Sequence, residues 1–361
     1  MDKELLLGDI GAIKFFSMRE ILQVWNCSIK TYVIGYSCLM RIFLFQTYVK
    51  MSISGRKHAW VDNKKYSTHQ RLNKEYLKNS KDWFEQWLVG MTDGDGTFSI
   101  VRQNNKWSLV YKIALSRYNL RALFYIKKQL GIGSVTKDNN KGQILIRDRK
   151  KLEKYIFPIF DKYPLLTSKQ FNYAKFKQAF FILENNSFTK EEKDIKLFEL
   201  KTKSIPNNYI SPVWNNIKLP LKTVNNVSGI ITKPWLVGFI EAEGSFYLDS
   251  KDSNRIVHGF GLTQKLDNIV LEAIGLVLHI STSVKYKSKY NYYILDTTNS
   301  RAIENIIKYF HNTMKGMKAV EYRIWARSYY KDKGNYKNLS KVRDILRKMK
   351  TNLLEISYFD R

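Results

Sequence analysis

With 361 residues, 44% of them hydrophobic and 14% aromatic, the chain is long enough for two or three domain-sized units and apolar enough to bury a core, which excludes a disordered basic tail. Its 61 Lys and Arg against 32 Asp and Glu leave a formal charge of +29, too lopsided for a typical metabolic enzyme and pointing to a polyanionic partner. The basic residues are spread along the chain and do not cluster beside one apolar run, so nucleic acid is favoured over an anionic membrane surface.

Residues 1–80 read as an N-terminal extension that turns basic and polar after Met51. It opens MDKELLLGD, with acids where a cleavable leader carries basic residues. The apolar run Tyr32 to Val49 is interrupted by Arg41 and is expected to be a buried helix, so no stable membrane insertion is expected. Cys27 and Cys38 form no CxxC pair and no zinc-finger spacing, which implies a reducing compartment without structural zinc.

From residue 81 the order of elements becomes regular. WLVGMTDGDGTFSI (Trp87 to Ile100) reads as a helix stopped by Gly96 in a left-handed cap, followed by a strand. RYNLRALFYIKKQL (Arg117 to Leu130) has helical apolar spacing, and GIGSV breaks it into strands ending near Ile146. A further helix follows PLLTSKQFNY. Ser187 to Pro234 reads as a linker, with a charged helical piece from Thr189 to Lys203 and four prolines, Pro206, Pro212, Pro220 and Pro234. WLVGFIEAEGSFYL (Trp235 to Leu248) then repeats the first motif, with Trp, Leu, Val, Gly, Gly and Phe identical and both acidic positions still acidic. LDNIVLEAIGLVLH (Leu266 to His279) supplies the matching helix, and SVKYKSKYNYYIL the matching strands. The chain therefore divides into an extension (1–80), a first repeat (81–186), a linker (187–234) and a second repeat with a C-terminal helix (235–361). Strands in adjacent pairs make this an α+β protein, a monomer with an internal pseudo-twofold.

Within each motif helix the small residues Gly90 and Gly94, and Gly238 and Ala242, recur four apart, which lets two helix backbones approach closely. The obvious partner of each motif is the other copy. Asp95 and Glu243, last before the glycines, then meet at the negative ends of two helix dipoles, an arrangement that is unfavourable unless a cation sits between them. Asp93 and Asp95 are about 200° apart around one helix and cannot share an ion, so the second ligand must come from the other half. Asp93 and Glu241 are expected to be structural or capping. Paired carboxylates with water and phosphate oxygens form a hard-oxygen site for Mg2+ or Mn2+, suited to phosphodiester hydrolysis.

LVGMTDGDG (Leu88 to Gly96) and LVGFIEAEG (Leu236 to Gly244) resemble the two copies of the motif that names the LAGLIDADG homing endonucleases and group I intron maturases, and the resemblance covers roughly Trp83 to Tyr330. It implies two pseudo-symmetric αββαββα repeats whose sheets form a saddle on double-stranded DNA, with the motif helices at their interface. It implies metal binding by Asp95 and Glu243, assisted by the backbone carbonyls of Gly94 and Ala242, and a basic residue near the phosphates in each half, at Lys169 and Lys318. Glu243 in place of Asp keeps the carboxylate and lengthens its reach.

The strands, near residues 97–115, 133–147, 245–264 and 281–297, are expected to show Arg102, Gln103, Lys112, Gln143, Arg147, Gln264, Lys285, Lys287 and Lys289 to the duplex. The rival function is an RNA maturase acting on its own group I intron, for which the carboxylates are dispensable. A DNA-binding regulator is weaker, since no helix-turn-helix is evident. Few prolines and many Asn, Lys, Tyr and Ile resemble proteins read from AT-rich organellar introns, which implies a mitochondrial location.

Overall fold

The computed structural model describes residues 80–217 and 219–359. The expectations for Cys27, Cys38 and the run from Tyr32 to Val49 lie outside them. Among the described residues no helix is long and apolar enough to cross a membrane.

Each half begins with its motif helix. Helix α1 spans residues 80–95. Strands β1 (Gly96–Gln103) and β2 (Lys106–Ser116) follow, then α2 (Leu120–Leu130), β3 (Ser134–Lys137) and β4 (Lys141–Ile146), in sheet order β1-β2-β4-β3. The β1–β2 turn is Asn104-Asn105, both at positive φ (49° and 55°), the conformation that a two-residue hairpin needs and that Asn tolerates. A helical turn (Arg149–Lys151) and a π-turn (Leu152–Ile156) lead into α3 (Phe157–Lys162), after which α4 (Lys169–Glu184) closes the half. Beyond α5 (Lys190–Thr202) the order repeats: α6 (Lys233–Glu243), β5 (Ser245–Asp252), β6 (Arg255–Gln264), α7 (Asn268–Val277), β7 (Lys285–Lys287), β8 (Tyr292–Thr297), α8 (Ser300–Phe310) and α9 (Lys318–Asp332), with sheet order β5-β6-β8-β7. Helix α10 (Tyr336–Phe359) ends the chain. This is a pseudo-symmetric α+β fold, as the repeat implies.

One face of each sheet is roofed by helices. In the first half Phe98 packs against Phe160, Tyr173 and Phe176, with ring centroids 5.2–5.3 Å apart. In the second, Phe246 packs against Phe310, Tyr322 and Trp325. Between the halves run α1 and α6: Trp87, Leu88, Val89 and Met91, like Leu236, Val237, Phe239 and Ile240, are almost wholly buried. Their contact is set by glycine. A Cβ on Gly90 would lie 1.9 Å from the Trp235 carbonyl oxygen, and one on Gly238 would lie 2.0 Å from that of Trp87.

One expectation needs correction. Gly96 and Gly244 do end the helices, but not through a left-handed cap: Gly244 sits at φ −69°, ψ 145°, and Gly96 starts a strand without positive φ. Glycine is required there because the chain turns straight out over the preceding helical turn, where a Cβ would strike Thr92 at 2.3 Å or Ile240 at 2.5 Å. Residues 187–234, expected as a linker, contribute to the packed fold. Trp214, Val227 and Ile231 are buried, the Trp214 indole donates to the Leu166 carbonyl at 2.8 Å, and the Ser211 hydroxyl donates to that of Leu165 at 2.6 Å. Pro234 in the first turn and Thr232 as N-cap make the end of this segment the start of α6.

Because the clash at Gly90 is with backbone, Gly90→Ala or Gly238→Ala should force the helices apart and lower stability by about 3 kcal/mol or more. Gly229→Ala, which meets nothing within 4 Å, should stay within about 0.5 kcal/mol of wild type in urea unfolding. Equal effects at all three positions would remove the helix contact as the cause.

Candidate active site

The two acids of each motif have separate tasks. Asp93 and Glu241, each 1% exposed, point into the seam. Asp93 accepts from the backbone N–H of Leu166 (3.0 Å) and Thr167 (3.1 Å), from the Thr167 hydroxyl (2.5 Å) and from the indole N–H of Trp235 in the other half (2.8 Å). Glu241 accepts from the N–H of Lys315 and Gly316 (both 2.6 Å) and from the indole of Trp87, again across the seam (2.7 Å). Burial pushes both above the ordinary carboxylate range, Glu241 to about 7, while these hydrogen bonds pull back toward the charged form. The loops that donate to these carboxylates are clasped across the seam as well: Ser168 N–H donates to Asp267 (2.7 Å) and Met317 N–H to Asn119 (2.8 Å), the N-cap residues of α7 and α2.

Asp95 and Glu243 lie at the ends of α1 and α6, where the helices touch through Gly94, Ala242 and Glu243; a Cβ on Gly94 would stand 2.3 Å from the Ala242 Cβ. Burial raises the pKa of Asp95, opposed by Lys169 and Lys318. Burial and then the charge of Asp95 raise that of Glu243, opposed by Lys169, by a hydrogen bond from Gln264 and by Lys318. Two carboxylates thus face each other in a desolvated place between two ammonium groups. Lys169 Nζ donates to the carbonyls of Thr92 (3.1 Å) and Gly94, and Lys318 Nζ to that of Gly244 (2.8 Å). Both lysines are the first residue of their helix, and burial depresses the pKa of Lys169.

Strand register sorts the expected DNA contacts. Cross-strand partners share a face, so the pairs Phe98–Tyr111 and Ile100–Leu109 mark the roofed side, and Thr97–Lys112 the other. Gln103, Lys112 and Gln143 fall on the side away from the helices, as do Lys285 and Lys287. Arg147 is exposed just after β4, and Lys289 lies in the turn between β7 and β8, over the Tyr290 ring. Arg102 does not join them. Adjacent to Gln103, it takes the opposite face, where it pairs with Asp194 of α5 at 2.7 Å beside Trp107. Gln264 is also on the roofed face, paired with Tyr293, and hydrogen-bonds Glu243. The residues that sequence reasoning missed are Trp87 and Trp235, whose signal was their identical place six residues before each inner acid.

The chain matches the family model described as LAGLIDADG endonuclease over residues 88–180 and 236–329. It is 38% identical over 360 residues to the probable intron-encoded endonuclease Cox1-I1b of Schizosaccharomyces pombe, covering 95% of this chain and 87% of that one. It is 35% identical over 246 residues to the uncharacterized mitochondrial protein RF1 of Saccharomyces cerevisiae, covering 66% of this chain and 48% of the relative. Among solved structures, I-SmaMI bound to an uncleaved DNA target in the presence of calcium ions superposes with a TM-score of 0.60 at 23% identity, over 73% of this chain and 98% of that one.

The raised pKa of Glu241 has a sign that can be tested. The folded protein holds that proton more tightly than the unfolded chain, so the contribution is fully present below the ordinary glutamate value of 4.5 and lost as pH rises through about 7. Glu241→Gln keeps an oxygen for Lys315 and Gly316, and should reduce the loss of unfolding free energy between about pH 5 and pH 8 by about 1–3 kcal/mol. Parallel pH profiles in wild type and variant would assign that slope to other groups.

Proposed function

The chain belongs to the LAGLIDADG endonuclease family, and from that membership we propose that it is an intron-encoded homing endonuclease making a metal-dependent double-strand break in a long asymmetric DNA site. The observation that carries this reading is that each half delivers one carboxylate and one lysine to the junction of the motif helices. Mitochondrial origin is part of the same reading, supported by a relative named as a mitochondrial protein.

The donor set fits a hard divalent cation. The charge of Asp95 opposes the ionisation of Glu243, and the neighbouring Gly94 carbonyl already receives an ammonium from Lys169. Mg2+ or Mn2+ would be held by Asp95 and Glu243 with the carbonyls of Gly94 and Ala242, the rest of the shell coming from water and DNA oxygens. When bound, such an ion supplies a polarised water and charge stabilisation at the phosphate. Lys169 and Lys318 add fixed positive charge beside the same oxygens, in a place whose burial strengthens it. Gln103, Lys112, Gln143, Arg147, Lys285, Lys287 and Lys289 would contact phosphates and base edges from the free side of the sheets.

RNA splicing has no observation of its own here. Two carboxylates that burial drives toward protonation reduce stability, and binding RNA makes no use of them.

The test is Mg2+-dependent cleavage of a duplex library spanning intronless gene junctions. Wild type should cut both strands, and Asp95→Asn and Glu243→Gln should each lose more than about a hundredfold of that rate. A wild type that leaves DNA intact while promoting splicing equally with both variants would replace the nuclease by a maturase. On the free face, Lys112→Ala should weaken DNA binding and lower the salt slope by about 1. Arg102→Ala, which removes a partly exposed ion pair to Asp194, should leave that slope unchanged.

A further inference from the structure

The two lysines are related by the pseudo-twofold, but the carboxylates that surround them are not. Besides the inner and outer motif acids, Lys169 feels Asp267, the N-cap of α7 in the opposite half, which also takes the N–H of Ser168. The residue doing the same for the loop before Lys318 is Asn119, the neutral N-cap of α2. At Lys318 a carboxylate comes from another place. Glu321 lies one turn along the same helix, 2% exposed, its Oε2 3.9 Å from Lys318 Nζ, with side-chain exposures of 3% and 14%. The residue three after Lys169 is Asn172, which carries no charge. Each lysine thus keeps one extra carboxylate, supplied across the seam at Lys169 and from its own helix at Lys318.

A Glu three residues after a Lys shares its side of the helix. In a desolvated place the attraction between them is far stronger than at a surface. Both residues line a cavity of about 430 Å³ that also reaches Asp95 and Tyr118. Tyr118, from the first half, faces Glu321 there; burial and then that carboxylate push its hydroxyl up to about 12. Lys318 thus has the Glu321 carboxylate within ion-pair distance from its own helix, while the Gly244 carbonyl receives its ammonium at 2.8 Å.

We propose that Glu321 is a positioning residue for Lys318: it docks the second half's ammonium from within its own helix, so that the two lysines are held by different means and the two strand cuts respond differently to its loss. The proposal rests on the endonuclease reading, in which Lys318 stands beside one scissile phosphate.

The test uses the full-length protein on a duplex labelled separately on each strand, in single turnover. Lys318→Ala identifies the strand that depends on Lys318. Glu321→Gln keeps the shape and removes the charge; it should slow that strand about tenfold and the other less than about twofold. Glu321→Asp keeps the charge and withdraws it by one methylene; it should slow the same strand less, and it carries the test if the amide variant does not fold. Equal slowing of both strands, or an unchanged ratio in the Glu321 variants, would overturn the proposal. An independent readout needs no cleavage. Acylation of Lys318 in the DNA-free protein, read by peptide mass, should quicken about fivefold relative to Lys169 when Glu321 becomes Gln and by less when it becomes Asp, and an unchanged ratio in the Gln variant would overturn the proposal equally. A wild type that cuts neither strand would instead count against the endonuclease reading, and the labelling result would still decide the role of Glu321.

Discussion

The structure depends on how closely two helices approach. Gly90 lies under the carbonyl of Trp235 and Gly238 under that of Trp87, with less than a methyl group's room at either contact. Glycine in a helix interior costs about 1 kcal/mol relative to alanine, and the return is a seam narrow enough for the last turns of both helices to touch through Gly94 and Ala242. Widen that seam and the outer acids separate, the indoles no longer reach the carboxylates, and the lysines lose the carbonyls that hold them.

Around this contact the protein divides its acids into two kinds. Asp93 and Glu241 are surrounded by donors, three or four each, and act as buried knots tying the opposite motif helix to a loop of their own half. Asp95 and Glu243 receive far less from the protein; burial opposes the ionisation of both, and the charge of Asp95 adds to that at Glu243. A carboxylate satisfied by its own chain has little left to offer a cation, whereas one left short is ready for it. The difference comes from a two-residue offset on a helix, which turns one acid into the seam and the other out toward its end.

Much of this could be read from the sequence because the motif occurs twice. Identical Trp-Leu-Val-Gly blocks locate the helices, the alternation of apolar residues locates the strands, and the acids before Gly96 and Gly244 are fixed by place. Other features needed coordinates. A glycine at a helix end says that a Cβ is excluded, without saying whether φ or a neighbouring side chain excludes it, and at Gly96 and Gly244 it was the neighbour. Arg102 and Gln103 cannot share a face of the sheet, since successive residues of a strand point oppositely, but which one lies on the side away from the helices depends on a register that pairs Gln103 with Lys106. Four prolines mark residues 187–234 as a linker, whereas the burial of Trp214 and its hydrogen bond to Leu166, beside the N–H groups that hold Asp93, follow only from the tertiary fold.

The exchanged indole and carboxylate give the seam a further property. Each half carries both members of the contact: Trp87 with Asp93 in one, Trp235 with Glu241 in the other. Each motif helix therefore gives the other an indole and takes one in return, so the seam is closed by two separate and reciprocal clasps. Losing one indole would leave one buried carboxylate short of a donor while the other clasp stays tied.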